Sequence, residues 1–361
     1  MAINFIPVDD FMYLLSRVPV IDVRSPGEYD HAHIPGAQSL PLFTNAERAE
    51  IGTAYKQLSR EAAIKIGLDA FGPRMKETVE RVEDIVKMHK SPREGYGQGR
   101  ILLHCWRGGM RSGAVAWLLD LYGFQVYLLE GGYKAYRHWV LRRMKKDYRF
   151  RVIGGNTGAG KTPVLHALHK SGYSVLDLEQ IAGHKGSAFG GLTGRPQPGQ
   201  EQFENDLASR LYQLTAADPE IDIYVEDESQ RIGNVNLPAG LFKQMLESRQ
   251  YFLDVPFDAR LDHILQEYGT FSVESLINAI VRIKKRLGPL ETKTAINHLV
   301  EGDTRACFAV LLSYYDKLYL KAEKGRGDNA GPIQKITCAG VDIPVNTRSL
   351  IMQLMGVHAV S

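Results

Sequence analysis

The stretch RFRVIGGNTGAGKT, residues 149–162, decides the fold of the second half of the chain. It opens with an apolar run of strand type, and the VLHALHK that comes after it is of helical type. Between them, GNTGAGKT fits the pattern of a phosphate-binding loop (P-loop) at a strand-to-helix junction. Glycines let backbone N–H groups approach phosphate oxygens, while Lys161 neutralises their charge and Thr162 can bind Mg²⁺. The residues predicted to bind phosphate are Gly155, Gly158, Gly160, Lys161 and Thr162.

Acidic residues follow two other apolar runs in this half. Glu226 and Asp227 come directly after IDIYV, where P-loop proteins keep an acid that orients a metal ion, and the spacing does not choose between them. Asp177 and Glu179 follow another predicted strand in the same way. A solvated acidic turn is the alternative interpretation for both pairs. The loop leaves open whether the phosphates belong to ATP, GTP or an organic diphosphate.

Length and composition indicate two globular domains. The chain has 361 residues, of which 44% are hydrophobic and 24% charged, and its net charge of +3 is too small to argue for nucleic-acid binding. Its three cysteines are widely spaced, which argues against a disulfide framework or a zinc site. No signal peptide is recognisable, and no run approaches the roughly 20 apolar residues of a membrane helix. We therefore expect a soluble cytoplasmic protein that has no membrane segment.

A second glycine-rich loop, HCWRGGMRS, lies nearer the N-terminus between a predicted strand and a predicted helix. Backbone N–H groups and the start of the helix can converge on the sulfur of Cys105, and Arg107 and Arg111 add positive charge. Together these features favour a thiolate, so we predict that these three residues are catalytic. Such a loop stabilises a persulfide, a perselenide or an oxyanion. The other two cysteines are predicted to be core residues.

Three segments around this loop resemble the rhodanese domain. DVRSPGEY at 22–29 and HIPGA at 33–37 resemble its beginning, and GFQV with LEGGY at 123–133 resembles its end. We predict an α/β fold, with a rhodanese-like domain followed by a P-loop NTPase-like parallel-sheet domain, and mostly helical structure from Val273 to the end. The predicted domains are a rhodanese-like domain at 1–140, a basic linker at 141–147 and a P-loop domain with a helical C-terminal extension at 148–361.

The cysteine loop departs from the pattern of many rhodaneses by one extra residue between Cys105 and Arg111. The resulting His-Cys-x5-Arg matches the signature of phosphatases, and it is also wide enough for selenophosphate. Two alternatives therefore stay open at the level of sequence: a rhodanese-type sulfurtransferase, or a Cys-x5-Arg phosphatase, with a nucleotide-binding regulatory domain in either case.

Nearly the whole chain resembles the tRNA 2-selenouridine synthases, which join these same two modules. The specific resemblance lies in segments that belong to neither general superfamily. These are ERA with GTAYKQ at 47–57, GGYKA at 131–135, HKGSAFG at 184–190, EDES at 226–229 and YYDKLY at 314–319.

The resemblance implies a transferase that converts the wobble 2-thiouridine of tRNA to 2-selenouridine. Its implied co-substrates are selenophosphate and geranyl diphosphate, with an S-geranyl nucleoside as intermediate and Mg²⁺ at the phosphates. Its implied partners are tRNA and an enzyme that supplies selenophosphate. Cys105 would then receive or steer the selenium species, and Lys161 would hold the diphosphate leaving group.

Two further sets of residues are candidates for substrate binding. His184, Lys185 and Ser187 lie in a basic loop flanked by glycines, and we predict that they contact diphosphate or tRNA phosphate; an ordinary polar loop is the alternative. Arg142 and Arg143 belong to a basic segment between the two domains, and we predict that they follow the tRNA backbone; a solvated helix face is the alternative.

Overall fold

The computed structural model describes residues 3–89, 99–185, 196–324 and 330–356. The chain divides into two compact units, Met1–Arg143 with Glu204–Ser209, and Met144–Phe203 with Arg210–Ser361. Within the described ranges, no helix combines the length and the apolar composition that a membrane crossing requires.

The first unit contains a parallel sheet of five strands in the order β1-β5-β4-β2-β3. The strands β4 and β2 lie inside the sheet and are buried, as their predicted apolar runs require. The short strands β1 and β3 were not predicted, and each contributes only a few residues at an edge. The strands are β1 (Asn4–Ile6), β2 (Val20–Asp22), β3 (Gln38–Ser39), β4 (Arg100–His104) and β5 (Gln125–Leu129).

Helices connect these parallel strands. Helix α2 begins with a capping box, in which Ser25 and Glu28 satisfy each other's backbone N–H groups. Helix α6 begins directly after the cysteine loop, as predicted, so its N-terminus faces that loop. The helices of this unit are α1 (Val8–Leu14), α2 (Pro26–His31), α3 (Asn45–Gln57), α4 (Arg60–Phe71), α5 (Met75–Met88), α6 (Met110–Tyr122) and α7 (Gly132–Arg143).

The second unit contains another parallel five-stranded sheet, in the order β12-β11-β6-β8-β7. The P-loop follows β6, the central strand, which is buried along most of its length. A short antiparallel hairpin, β9 with β10, lies outside this sheet. The strands are β6 (Arg149–Gly155), β7 (Val175–Leu176), β8 (Asp222–Glu226), β9 (Arg231–Ile232), β10 (Val235–Asn236), β11 (Gln250–Asp254) and β12 (Ile333–Thr337).

Helices α12 to α15 share a core of their own, which contains Cys307 and Phe308. The prediction of mostly helical structure from Val273 onward is confirmed by α13 to α16. It did not include the strand β12, which returns to the edge of the sheet. An edge strand is half exposed, so its polar residues hide the apolar signal of a strand. The helices are α8 (Lys161–Lys170), α9 (Leu178–Ala182), α10 (Gln200–Thr215), α11 (Ala239–Glu247), α12 (Phe257–Tyr268), α13 (Val273–Leu287), α14 (Pro289–Val300), α15 (Thr304–Lys324) and α16 (Ile343–Leu354).

Candidate active site

Cys105 directly follows β4, at the carboxyl end of the strand, and the residue is only 2% exposed. The Ser112 hydroxyl, at the start of α6, donates a hydrogen bond to Sγ at 3.1 Å. Burial by itself would raise the pKa of the Cys105 thiol. The hydroxyl and backbone N–H of Ser112, the backbone N–H of Arg107 and the charge of Arg111 outweigh it and hold the pKa below its ordinary value. The loop therefore favours a thiolate.

The two arginines of the cysteine loop differ in their surroundings. Arg111 donates to both carboxylate oxygens of Glu28, at 2.7 and 3.4 Å, so the signature at the start of the domain anchors the catalytic loop. The side chain of Arg107 is exposed. Arg111 is thus held at the loop, whereas Arg107 is available to meet an incoming anion.

The LEGGY segment packs against the backbone of the cysteine loop. The backbone N–H of Tyr133 donates to Cys105 O at 2.8 Å. Gly132 has φ of +58°, and a Cβ atom there would lie 2.4 Å from the same carbonyl oxygen. Only glycine permits so close an approach in this backbone conformation. The segment at the end of the domain and the cysteine loop, which the sequence analysis matched separately, are therefore in direct contact.

A buried ion pair lies beside this loop. The guanidinium of Arg24 donates to Asp22 at 2.6 to 3.0 Å and stacks 3.8 Å from the ring centroid of Tyr133. Both charged side chains are at most 1% exposed. His104 is also buried, 3.7 Å from Asp22, and burial lowers its pKa despite that carboxylate. These residues were not predicted as site residues, although Asp22 and Arg24 belong to the DVRSPGEY segment.

The second loop has the geometry of a phosphate-binding loop. Gly155, Gly158 and Gly160 all have positive φ, of 148°, 81° and 76°. A Cβ at Gly158 would lie 2.8 Å from the end of the Ile264 side chain and 3.0 Å from the backbone oxygen of Arg260, so a larger residue there would be crowded as well as strained. The amine of Lys161 donates to Gly155 O at 2.9 Å. Burial alone would lower the pKa of Lys161, but neighbouring Tyr319 and carboxylates outweigh it and raise the pKa.

Two carboxylates contact Thr162, near the start of helix α8, and a third lies beside them. The Thr162 hydroxyl lies 3.2 Å from Glu179 Oε2 and 3.1 Å from Glu226 Oε2. Oxygen atoms of Glu179, Glu226 and Glu228 lie within 4.8 Å of one another. Burial and the like charges around them raise the pKa of Glu226 well above its usual range and that of Glu228 to about 7.

This donor set suits a hard divalent cation such as Mg²⁺, which prefers carboxylate and hydroxyl oxygens. Glu226 Oε1 is buried with no hydrogen-bond partner among the described residues, so it has a free acceptor to offer. Asp227, the other predicted acid, instead accepts a hydrogen bond from Gln250 at 2.6 Å. Glu228 was not proposed as a site residue because the sequence shows only an acidic run.

A cavity of about 860 Å³ joins the P-loop to an apolar wall. Lys161, Thr162 and the three carboxylates form its polar end. The cavity lies within the second unit and suits a ligand with a charged head and an apolar body. The apolar and aromatic lining includes Ile264, Tyr268, Phe308, Leu311, Leu312 and Tyr315.

Comparison with known proteins identifies both units. The tRNA 2-selenouridine synthase AAA domain matches residues 148–334, and the rhodanese-like domain matches residues 8–138. A tRNA 2-selenouridine synthase of Nitrosomonas europaea is 35% identical over 309 residues, which are 84% of this chain and 76% of the relative. The chain belongs to the tRNA 2-selenouridine synthase family. Another member, from Pseudomonas syringae pv. syringae, is 37% identical over 297 residues, or 76% of each chain.

Membership in the synthase family confirms the predicted resemblance and the predicted fold class of both domains. The boundaries proposed at 140 and 148, and the roles proposed for individual residues, stay predictions. The structure also explains a segment that only the family resemblance singled out, YYDKLY. Asp316 in this segment receives two hydrogen bonds from buried Arg260, at 2.9 and 2.7 Å, and Arg260 also donates to Thr157 O in the P-loop. Helices α12 and α15 are thereby tied to the phosphate loop of this synthase-family protein.

The candidate substrate-binding residues of this family member fall in different places. Lys185 lines the cavity, where its amine donates to Glu267 at 3.1 Å. His184 is next to it, with Nδ1 buried and without a partner among the described residues, and burial lowers its pKa. Ser187 lies outside the described residues. Arg142 and Arg143 occupy the last turn of α7, and Arg143 lies 5.1 Å from the ring centroid of Trp139.

Proposed function

We propose that this chain replaces the sulfur of the wobble 2-thiouridine in tRNA by selenium. In this proposal, geranyl diphosphate first alkylates the sulfur, and selenophosphate supplies the selenium that displaces the resulting geranyl thiol. The observation that carries the proposal is the cavity of the second unit, because it has a phosphate loop at one end and an apolar wall beside it. A prenyl diphosphate has the same division between a charged head and an apolar tail.

The alkylation step develops negative charge on the diphosphate leaving group. Lys161 and the backbone N–H groups of the P-loop would bind those oxygens and stabilise the charge. Glu179, Glu226 and Glu228, with Thr162, would hold Mg²⁺. When bound, the cation supplies further neutralisation of the diphosphate. The aromatic lining would exclude water from the reacting carbon and so favour transfer over hydrolysis.

The selenium step is assigned to the first unit. A low thiol pKa and a loop of converging donors suit Cys105 to bind or carry an anionic selenium species. Arg107, which is exposed at the loop, would meet the phosphate of selenophosphate. An enzyme that makes selenophosphate would be the natural supplier. The basic side chains of Arg142 and Arg143 would contact the tRNA backbone.

The test is a donor-omission experiment on tRNA bearing 2-thiouridine, with mass spectrometry of the digested nucleosides. The wild type should yield S-geranyl-2-thiouridine with geranyl diphosphate alone and 2-selenouridine when selenophosphate is added. Lys161→Ala should slow geranylation by about 100-fold or more, since it removes a donor aimed at developing charge. Cys105→Ser should geranylate normally but form no 2-selenouridine.

Lys170→Ala is the matched control for Lys161, because Lys170 is an exposed lysine at the other end of α8. It should behave as the wild type. Absence of both modified nucleosides from the wild type under every combination of donors would overturn the proposed function. Phosphoester hydrolysis or sulfur transfer from thiosulfate that requires Cys105 would then favour the phosphatase or the sulfurtransferase.

A further inference from the structure

His166 lines the cavity beside the phosphate loop and forms a pair with the carboxylate of Asp177. Neither residue has a part in phosphate or metal binding as described above. Nε2 of His166 lies 2.6 Å from Asp177 Oδ2. The other oxygen of Asp177 accepts the backbone N–H of Gln180 at 2.7 Å and caps helix α9. Asp177 is thus fixed by its own helix and in turn fixes the orientation of the imidazole ring.

His166 has the position and the access that a reacting group needs. It lies four residues after Thr162 on α8, so the two side chains occupy one face of the helix, with about 5–6 Å between their Cβ atoms. Its side chain is 55% exposed, whereas that of Asp177 is 10% exposed. Both Thr162 and His166 line the cavity. A 2-thiouridine nucleobase bound next to the diphosphate would therefore lie within reach of the imidazole ring.

The alkylation that we propose for this cavity releases a proton. The base of 2-thiouridine has a C2=S bond and a proton on N3. When the sulfur bonds to C1 of the geranyl group, the C1–O bond breaks and its electron pair leaves with the diphosphate. The neutral product has a C2=N3 double bond, so the N3–H proton must leave while the N–H electron pair forms that bond. A group in the cavity has to accept this proton.

We propose that His166 is the general base of the alkylation step and that Asp177 is its positioning residue. This inference rests on the proposed function. With Nε2–H donating to Asp177, Nδ1 of His166 accepts the N3 proton, and the carboxylate stabilises the imidazolium that forms. The partly exposed ring then returns the proton to solvent. The residue thus belongs to the alkylation and not to the exchange of sulfur for selenium.

Single-turnover geranylation of 2-thiouridine tRNA by His166→Ala, measured beside the affinity for geranyl diphosphate, tests this assignment. Loss of a general base predicts a rate constant about 100-fold or more below that of the wild type. The affinity for geranyl diphosphate should stay unchanged. Added imidazole should restore part of the rate, because it can occupy the space of the missing ring and accept the proton. His169→Ala, on the same helix but not lining the cavity, should keep the wild-type rate.

Asp177→Asn keeps the helix cap, because Asn caps as well as Asp, and it removes the charge behind the ring. This variant should geranylate more slowly than the wild type. The double variant His166→Ala with Asp177→Asn should be no slower than His166→Ala alone, since Asp177 acts through His166. A wild-type rate in His166→Ala would overturn the inference. So would a slow rate that added imidazole does not restore, in a variant that also binds geranyl diphosphate more weakly. A wild type that does not geranylate at all would instead overturn the proposed function.

Discussion

The hydroxyl of Ser112 is expected to set the reactivity of Cys105. It donates directly to the sulfur in a buried site, so Ser112→Ala removes one hydrogen bond from the thiolate and leaves the backbone N–H donors in place. A hydrogen bond to a charged group contributes about 1.5–3 kcal/mol. Ser112→Ala should therefore raise the pKa of Cys105. Since about 1.4 kcal/mol corresponds to a factor of ten in an equilibrium constant, the equilibrium constant for loss of the thiol proton should fall by about tenfold or more.

The rate of alkylation of Cys105 by iodoacetamide, followed by mass spectrometry from about pH 5 to about pH 10, measures this pKa. The other cysteines do not interfere, because burial raises the pKa of Cys307 to about 12 and also raises that of Cys338. At neutral pH the variant should therefore react more slowly than the wild type. Its maximal rate at high pH should be unchanged, because the thiolate itself is as accessible as before.

Ser313→Ala is the matched control, since Ser313 is exposed in the second unit and donates only to a backbone carbonyl of its own helix. Its alkylation profile should coincide with that of the wild type. An unchanged pKa in Ser112→Ala, with an unchanged melting temperature, would refute the assignment of thiolate stabilisation to this hydroxyl.

The remaining predictions concern the backbone beside the cysteine loop and the proposed Mg²⁺ site. Gly132→Ala should lower the melting temperature and slow Cys105 alkylation, because it adds about 1–2 kcal/mol of left-handed strain and a clash with a carbonyl. Gly36→Ala is the control, since Gly36 has positive φ but open space and should show the strain alone. Equal losses of melting temperature in the two variants would contradict the clash. Calorimetry at about pH 6 and about pH 8 should show tighter Mg²⁺ binding at the higher pH, because Glu228 must lose its proton near pH 7. Without Mg²⁺, the free energy of unfolding should fall as pH rises from 4.5 to about 7, since the folded chain holds that proton more tightly. Glu228→Gln should weaken both effects and leave the part that Glu226 contributes, because the pKa of Glu226 is also raised. Mg²⁺ affinity that is independent of pH in the wild type would contradict this role.

The sequence was sufficient to predict those parts of the site whose chemistry depends on consecutive residues. A P-loop is one short run that contains glycines, a lysine and a threonine, so its position between a strand and a helix could be predicted from residues 149–162. The same holds for Cys105 and the arginines that follow it, because a strand, a turn and a helix start fix their positions locally. Strand β12 was missed for the opposite reason, since pairing with β11, more than seventy residues away, makes it a strand.

Tertiary structure decided which distant residues meet. Glu28 and Arg111 are 83 residues apart, and Arg260 and Asp316 are 56 apart, so no local pattern joins them. The choice of Glu226 over Asp227 at Thr162, and the proximity of Glu179 and Glu228 to Glu226, likewise depend on how neighbouring strands end at one edge of the sheet. The sequence alone determined the two reactive loops, because each is a contiguous segment. Only the fold determined the acid cluster, the His166–Asp177 pair and the apolar cavity, because parallel strands bring the ends of remote segments together.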